Sequence, residues 1–248
     1  MNTMKASKEI INLGKWDEKS LDTLIRGTFR IRDMSKGIAR LSGQFIGVSY
    51  RESTMIGDAD RQEIFVINLE GVDCFTFIDY VEALRLSSSF EEFKENVRKV
   101  RYRSGTVAYT QRNHFFTDWI EFNKELVEDV TGIVGGQAAE RIQKTLNLKE
   151  DGTYFVEGII PRTREIAFIP SGSVDDEIIA ALRTGDYAGI YSEKEGLDVT
   201  HVGIIIKEKN KTWLRNASSL DAYRKVVDQD LKEYLAGKPG LIVLRART

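Results

Sequence analysis

Cysteine is nearly missing from this chain of 248 residues: there is one, Cys74. A single thiol excludes an intrachain disulfide and any zinc site built from several thiolates. Histidine is almost as scarce, with only His114 and His201, so a histidine metal site is poorly supplied and no cofactor is called for. No apolar run approaches the roughly 18 residues of a membrane span. Met1 to Lys15 lack the apolar centre of a secretory signal; either the protein is not exported or a signal has been removed. Basic charge is not in excess either. The formal net charge is −2, so no global field draws the chain to nucleic acid. What is present is ordinary for a globular protein with a sizeable core, 42% hydrophobic and 30% charged residues. The length suits one large domain, or one domain with an elaboration, and no repeat, low-complexity tract or linker divides it.

The lone cysteine lies in Asn68-Leu-Glu-Gly-Val-Asp-Cys-Phe-Thr-Phe77. Ile64-Phe-Val-Ile67, with strand character, leads in. Phe75, Ile78, Val81 and Leu84 lead out at spacings of three, on one face of a helix. Gly71 and Asp73 between them are a turn residue and an N-cap type. This predicts Cys74 in the first turn of a buried helix. There, unpaired N–H groups and the positive end of the helix dipole favour a thiolate, and hence a nucleophile. A buried packing cysteine suits the same position.

In chain order, residues 5–45 read as helices, with Leu21, Leu24, Ile25 and Phe29 and then Ile38, Leu41 and Phe45 at helical spacing. A polar loop follows to Asp60. The strand–turn–helix around Cys74 ends at Ser87-Ser-Ser89, and Phe90 to Val100 is a short charged helix. From Trp119 to Leu148 the chain reads as helical, broken at Thr131-Gly132 and Gly135-Gly136. Short strands fill Thr153 to Ile169, and Val174 to Leu182 is a helix. Tyr187 to Tyr191 and Gly196 to Ile206 are strands, the second forming a hairpin with Thr212 to Asn216. Lys225 to Leu235 reads as a helix and Leu241 to Leu244 as a last strand. Strands gathered after residue 150 and joined by short turns predict an antiparallel sheet. With helices before it, the class is α+β.

A second unusual stretch, Arg101 to Trp119, holds three arginines, one histidine and five aromatics in nineteen positions. It has little helical or strand period. Phe115, Phe116 and Trp119 suit core packing, yet arginines and aromatics on a loop also suit a ligand wall. Stacking on RNA is the rival for such a mix, but no RNP-type motif accompanies it.

A cysteine nucleophile needs a base, and the base needs an orienting group. His201 sits on the strongest strand and Asn216 on its hairpin partner. A turn centred on Glu208-Lys209 sets the two directly opposite each other. A turn centred on Asn210-Lys211 leaves them four residues out of register. The sequence admits both. A half-buried histidine satisfied by the core and an asparagine at a strand edge are the plainer roles for these residues.

Asp73-Cys74 at a helix start, His201-Val-Gly-Ile204 on a later strand and a polar residue on the next strand resemble the papain-like, NlpC-type cell-wall cysteine peptidases and amidases. The closer resemblance is to the N-acetylmuramoyl-L-alanine amidase-like subfamily. It is carried by Phe45-Ile-Gly-Val-Ser-Tyr50, Asn68 to Phe77, Arg101-Tyr-Arg-Ser-Gly105, Arg112-Asn-His-Phe-Phe-Thr-Asp-Trp119, Gly185-Asp186, Gly196 to Gly203 and Asn216-Ala-Ser-Ser219. These span about residues 45–220. The resemblance implies a papain-like fold in one catalytic domain, residues 1–248, with extra N-terminal helices to about residue 45 and a specificity loop and helical insertion over about 101–150. It implies a monomer acting on peptidoglycan or muropeptides, in the periplasm, at the cell surface or in cytosolic recycling. Cys74 would attack the amide between the muramic acid lactyl group and L-alanine, with His201 as base and Asn216 as third catalytic residue. The subfamily often has histidine where this chain has Asn216; asparagine can orient an imidazole but carries no charge. Tyr50 matches a tyrosine that precedes the cysteine loop. Arg103, Arg112, His114 and Asp118 would form a wall that binds stem-peptide carboxylates, the L-alanine end or the sugar. Relatives elsewhere in the superfamily cut γ-D-glutamyl bonds, and an inactive muropeptide-binding relative is the non-enzymatic alternative.

Overall fold

The structure, a computed structural model, describes residues 9–247. Strand β1 (Glu9–Asn12) is followed by helices α1 (Glu18–Phe29) and α2 (Met34–Gly43), then by short strands β2 (Ser49–Tyr50), β3 (Phe65–Asn68) and β4 (Gly71–Val72). Helix α3 (Cys74–Arg85) begins directly after β4, and α4 (Phe90–Arg101) returns beside it. After short 3-10 turns come α5 (Phe116–Phe122), β5 (Val127–Asp129), α6 (Thr131–Gly135) and β6 (Glu140–Leu146). The last part holds β7 (Arg162–Pro170), α7 (Asp176–Ala181), β8 (Tyr187–Tyr191), β9 (Val199–Glu208), β10 (Lys211–Ser218), β11 (Lys225–Asp230), α8 (Leu231–Leu235) and β12 (Gly240–Ala246).

This is an α+β fold built on one long curled sheet, ordered β4-β2-β11-β10-β9-β8-β12-β7-β6 with β5 paired to β12. The pairing is antiparallel apart from β2 with β4. A separate parallel pair joins β1 to β3. On one face of the sheet, Val202, Ile204 and Ile206 pack against Phe77, Tyr80, Val81 and Phe45. On the other, Ile205 and Leu214 meet Leu231, Leu235 and Leu241. Alternation along β9 therefore decides which side of the sheet each of its residues serves.

Helix α3 starts where it does because Asp73 and Thr76 form a capping box. The Asp73 carboxylate accepts from the Thr76 amide at 2.7 Å, and the Thr76 hydroxyl accepts from the Asp73 amide at 3.0 Å. Every residue from Thr76 to Leu84 is buried, so the helix is enclosed on all sides. Its apolar residues each contribute about 1.5–3 kcal/mol of transfer free energy. Two carboxylates go inside with it, and each is paired. Asp79 accepts from Arg101 Nε at 2.9 Å and from Trp119 Nε1 at 3.1 Å. Glu82 binds Arg85 and accepts from the Tyr187 hydroxyl at 2.6 Å.

Three sequence expectations are corrected here. Within 5–45, α1 and α2 form as expected, but Glu9–Asn12 is a strand, because it aligns with β3 residue for residue; residues 5–8 lie outside the described residues. Within 119–148, α-helix after α5 is confined to the short α6, and β5 and β6 are strands. Residues 140–146 pair along their whole length with β7, and Lys144 and Leu146 are buried at alternate positions. A polar, helix-favouring composition yields here to edge pairing. Residues 225–235 are likewise split, as β11 pairs with β10 and only the last five residues turn into α8, capped by Asp230.

Candidate active site

Cys74 is the first residue of α3, half-buried at its N-terminus. Strand β4 delivers it there, and β2 runs parallel to β4 with Tyr50 opposite Val72. Tyr50 is thereby fixed beside the helix start. The Arg224 guanidinium covers its ring at 4.8 Å.

The β9–β10 turn falls on Lys209 and Asn210, between the two turns the sequence admits. Lys211 pairs with Glu208 and Arg215 with Ile204. The ladder stops at that last pair, although β9 reaches back to Val199 and β10 runs on to Ser218. Past the stop, the Val202 amide is near enough to the Cys74 sulfur to favour its ionised form. The tip of α3 thus meets the sheet where β9 and β10 part.

His201 and Asn216 meet diagonally across the same parting. His201 Nε2 lies 2.9 Å from Asn216 Oδ1. Gly203, between them on β9, leaves room: a Cβ there would stand 3.1 Å from the Asn216 Cβ and 2.8 Å from the Arg215 carbonyl oxygen. The tautomer follows from the asparagine. Its Nδ2 donates to the Leu214 carbonyl at 3.2 Å and to Gln229 Oε1 at 3.1 Å. Oδ1 therefore faces the imidazole and can only accept, so Nε2 carries the proton and Nδ1 keeps its lone pair. Tyr234 of α8 borders this pair, its ring centroid 6.1 Å from that of His201.

The electrostatics oppose the thiolate expected from the sequence. Burial pushes the Cys74 thiol up to about 12, and the Asp73 carboxylate adds to the effect. The amides of Val202, Cys74 and Phe75 pull the other way and do not prevail. Burial is the larger reason why the helix end fails to activate the sulfur, and Asp73 adds to it: as N-cap it already occupies the positive end with its own negative charge. Burial also holds His201 below the ordinary histidine value, helped by the Lys238 ammonium and countered by Asn216 and Asp73. Tyr50 and Tyr234 are each raised to about 12, first by burial and next by the closeness of Cys74. At rest, then, a neutral thiol faces a neighbourhood that holds a neutral imidazole.

Each residue of the expected substrate wall has a protein partner. Arg112 is buried and donates through Nε to Glu63 Oε1 at 2.8 Å and through a terminal nitrogen to the Gly57 carbonyl at 3.1 Å. Tyr102 closes the same carboxylate at 2.7 Å. Asp118 is buried between Arg103 at 3.0 Å and Arg164 at 2.8 Å, and Arg103 lies over the Phe122 ring at 4.3 Å. His114 Nε2 donates to the Tyr109 carbonyl at 2.8 Å. All four are engaged by protein groups, and it is Arg101 and Trp119 of the same segment that brace it against α3 through Asp79. His201 and Asn216 meet on the sheet, Tyr50 lies beside Cys74 at the start of α3, and Arg103, Arg112, His114 and Asp118 keep the protein partners given above. Sequence reasoning missed Tyr234 and Gln229, which lie in the segment read as one continuous helix.

A family model described as AmiA-like, N-acetylmuramoyl-L-alanine amidase-like, matches residues 40–241. No curated protein matches. Among solved structures, a Legionella pneumophila protein superposes with a TM-score of 0.77 at 22% identity, over 93% of this chain and 96% of that one. An N-acetylmuramoyl-L-alanine amidase from Bacteroides uniformis gives 0.73 at 27% identity, over 87% of this chain and 100% of that one. A putative xylanase from Bacteroides fragilis gives 0.66 at 25% identity, over 83% and 99%.

Proposed function

The chain belongs to the AmiA-like, N-acetylmuramoyl-L-alanine amidase-like family, and on that footing we propose that it is a cysteine amidase with a papain-like, NlpC-type site, cutting muramoyl-L-alanine bonds of peptidoglycan fragments. The observation that carries the reading is the His201–Asn216 hydrogen bond of 2.9 Å at the parting of β9 and β10, with the Cys74 sulfur at the adjoining Val202 amide.

The neutral resting state prescribes the order of events. Nδ1 of His201 takes the thiol proton as the sulfur attacks the carbonyl carbon, rather than beforehand. Asn216 holds Nε2–H throughout and stabilises the imidazolium that forms. The amides of Cys74 and Phe75 are spared from the capping box, whose carboxylate takes the Thr76 amide, and either can donate to the developing oxyanion. The Tyr50 hydroxyl is a second donor at that side. The carbon–nitrogen bond then breaks as His201 returns the proton to the L-alanine nitrogen, leaving a thioester. Water attacks the thioester, gives its proton to His201, and the thiol is restored. An amidase of the cell wall works in the periplasm or at the cell surface; among the described residues no helix is long and apolar enough to cross a membrane.

The test is mass spectrometry of muropeptides incubated with the protein. Free stem peptides beginning with L-alanine are expected, and none with Cys74→Ala. Release at the wild-type rate by that variant sinks the mechanism. A fragment mass matching cleavage after γ-D-glutamate reassigns the bond.

A further inference from the structure

The half of Asn216 that turns away from His201 is held by two acceptors of different kinds. One, the Leu214 carbonyl, is backbone. The other is the side chain of Gln229, half-buried on β11. Asn216 pairs with Val227 across the β10–β11 ladder, so Gln229 lies two residues along the same face, the diagonal neighbour of the asparagine. His201 is the diagonal neighbour on the opposite side. Three side chains thus cross three adjacent strands in one line: Gln229, Asn216, His201.

From this line we infer that Gln229 is a positioning residue, which sets the proton position on His201 by fixing which end of the Asn216 amide faces the ring. This rests on the reading of His201 as the general base. An asparagine amide presents a donor at one end and an acceptor at the other, with nearly the same shape. Turned over, it would offer N–H to Nε2. The imidazole would then place its proton on Nδ1, the nitrogen that must accept from the thiol. The Leu214 carbonyl, which can only accept, favours the productive end, and Gln229 Oε1 on the same nitrogen adds to that weight. The segment is rigid enough to hold this choice. Arg215 and Asp228, the pair directly between these residues, are joined by two hydrogen bonds of 2.7 Å, and Arg215 is tied to Ala39 and Ser42 of α2.

The test uses the scarcity of histidine. In protein labelled with ¹⁵N-histidine there are two imidazoles, and long-range proton–nitrogen spectra distinguish their tautomers. His114 also donates from Nε2, to a backbone carbonyl, and serves as a built-in control for the fold. The wild type is expected to give two Nε2–H patterns. In Gln229→Met the acceptor is lost with little change of shape. His201 is expected to gain an Nδ1–H population while His114 stays fixed. The value of kcat should fall by at most about fivefold, the equilibrium weight of one neutral hydrogen bond, with KM unchanged. Gln229→Glu keeps an acceptor and is expected to keep the wild-type spectrum. An unaltered His201 pattern in Gln229→Met, with or without loss of rate, overturns the inference. So does an Nδ1–H pattern in Gln229→Glu, which also decides the matter should the methionine variant not fold. The spectra are taken without substrate, so they answer separately from whether Cys74 cuts an amide.

Discussion

The lone thiol makes its own ionisation directly measurable. Iodoacetamide reacts with the thiolate, and a chain with one cysteine gains one adduct, read by intact mass. The structure moves the Cys74 thiol from its ordinary value of 9 to about 12. That is roughly a thousandfold in acidity, or about 4 kcal/mol in favour of the neutral form. At pH 7 the ionised share falls to about 10⁻⁵, against roughly 1% for a thiol at the ordinary value of 9. Alkylation should therefore be slow at neutral pH and climb about tenfold per pH unit from 7 to 10, without a plateau. Asp73 supplies part of the shift, so Asp73→Asn, which keeps an N-cap residue, should raise the rate at pH 8 several-fold. A plateau with a midpoint below pH 8 would mean that a thiolate–imidazolium pair exists at rest. It would refute both the burial argument and the order of proton transfer drawn from it.

Two further outcomes concern the frame around the site. Arg112→Ala leaves the Glu63 carboxylate buried without its cation, and should cost about 3–5 kcal/mol of stability; urea denaturation checks this, and an unchanged midpoint would refute the supporting role. Burial holds His114 at about 4. Its folded value is depressed, so the stability it contributes is complete above about 6.5 and is lost as pH falls from there through about 4. Between pH 7 and 4 the wild type should lose roughly 3 kcal/mol more than His114→Gln; parallel losses in the two proteins would refute the assignment.

The start of α3 was readable because its signals are local. Gly71 marks the turn, Asp73 the cap, and an apolar period of three follows, all within one stretch. The β9–β10 hairpin was readable as a hairpin, but its turn was not. The polar run from Lys207 to Lys211 allows several registers, and the choice rests on β9 pairing with β8 and β10 with β11. That choice places Asn216 diagonal to His201, a relation the direct-opposition argument did not consider. Strand β6 was illegible for another reason. Glu140-Arg-Ile-Gln-Lys-Thr-Leu146 has a helix-favouring composition, and its alternation shows only once Lys144 is seen to be buried, bound to the carbonyls of Ser192, Lys194 and Leu197. The arginines of 101–119 were read as facing a ligand because their carboxylate partners, Glu63 and Asp118, are not recognisable as buried from their neighbours in the chain.

Asp73 has one more effect. Burial keeps the neighbouring sulfur protonated, and the carboxylate that starts α3 adds to it. Peroxide and disulfides attack the thiolate, not the thiol. An idle molecule is therefore chemically quiet, protected from conversion to sulfenic acid by burial and, in part, by the same residue that folds its helix. Reactivity arises only when an amide carbonyl arrives to take up the electrons as His201 takes the proton. The cap acts as a safety catch, and its cost is a slower nucleophile.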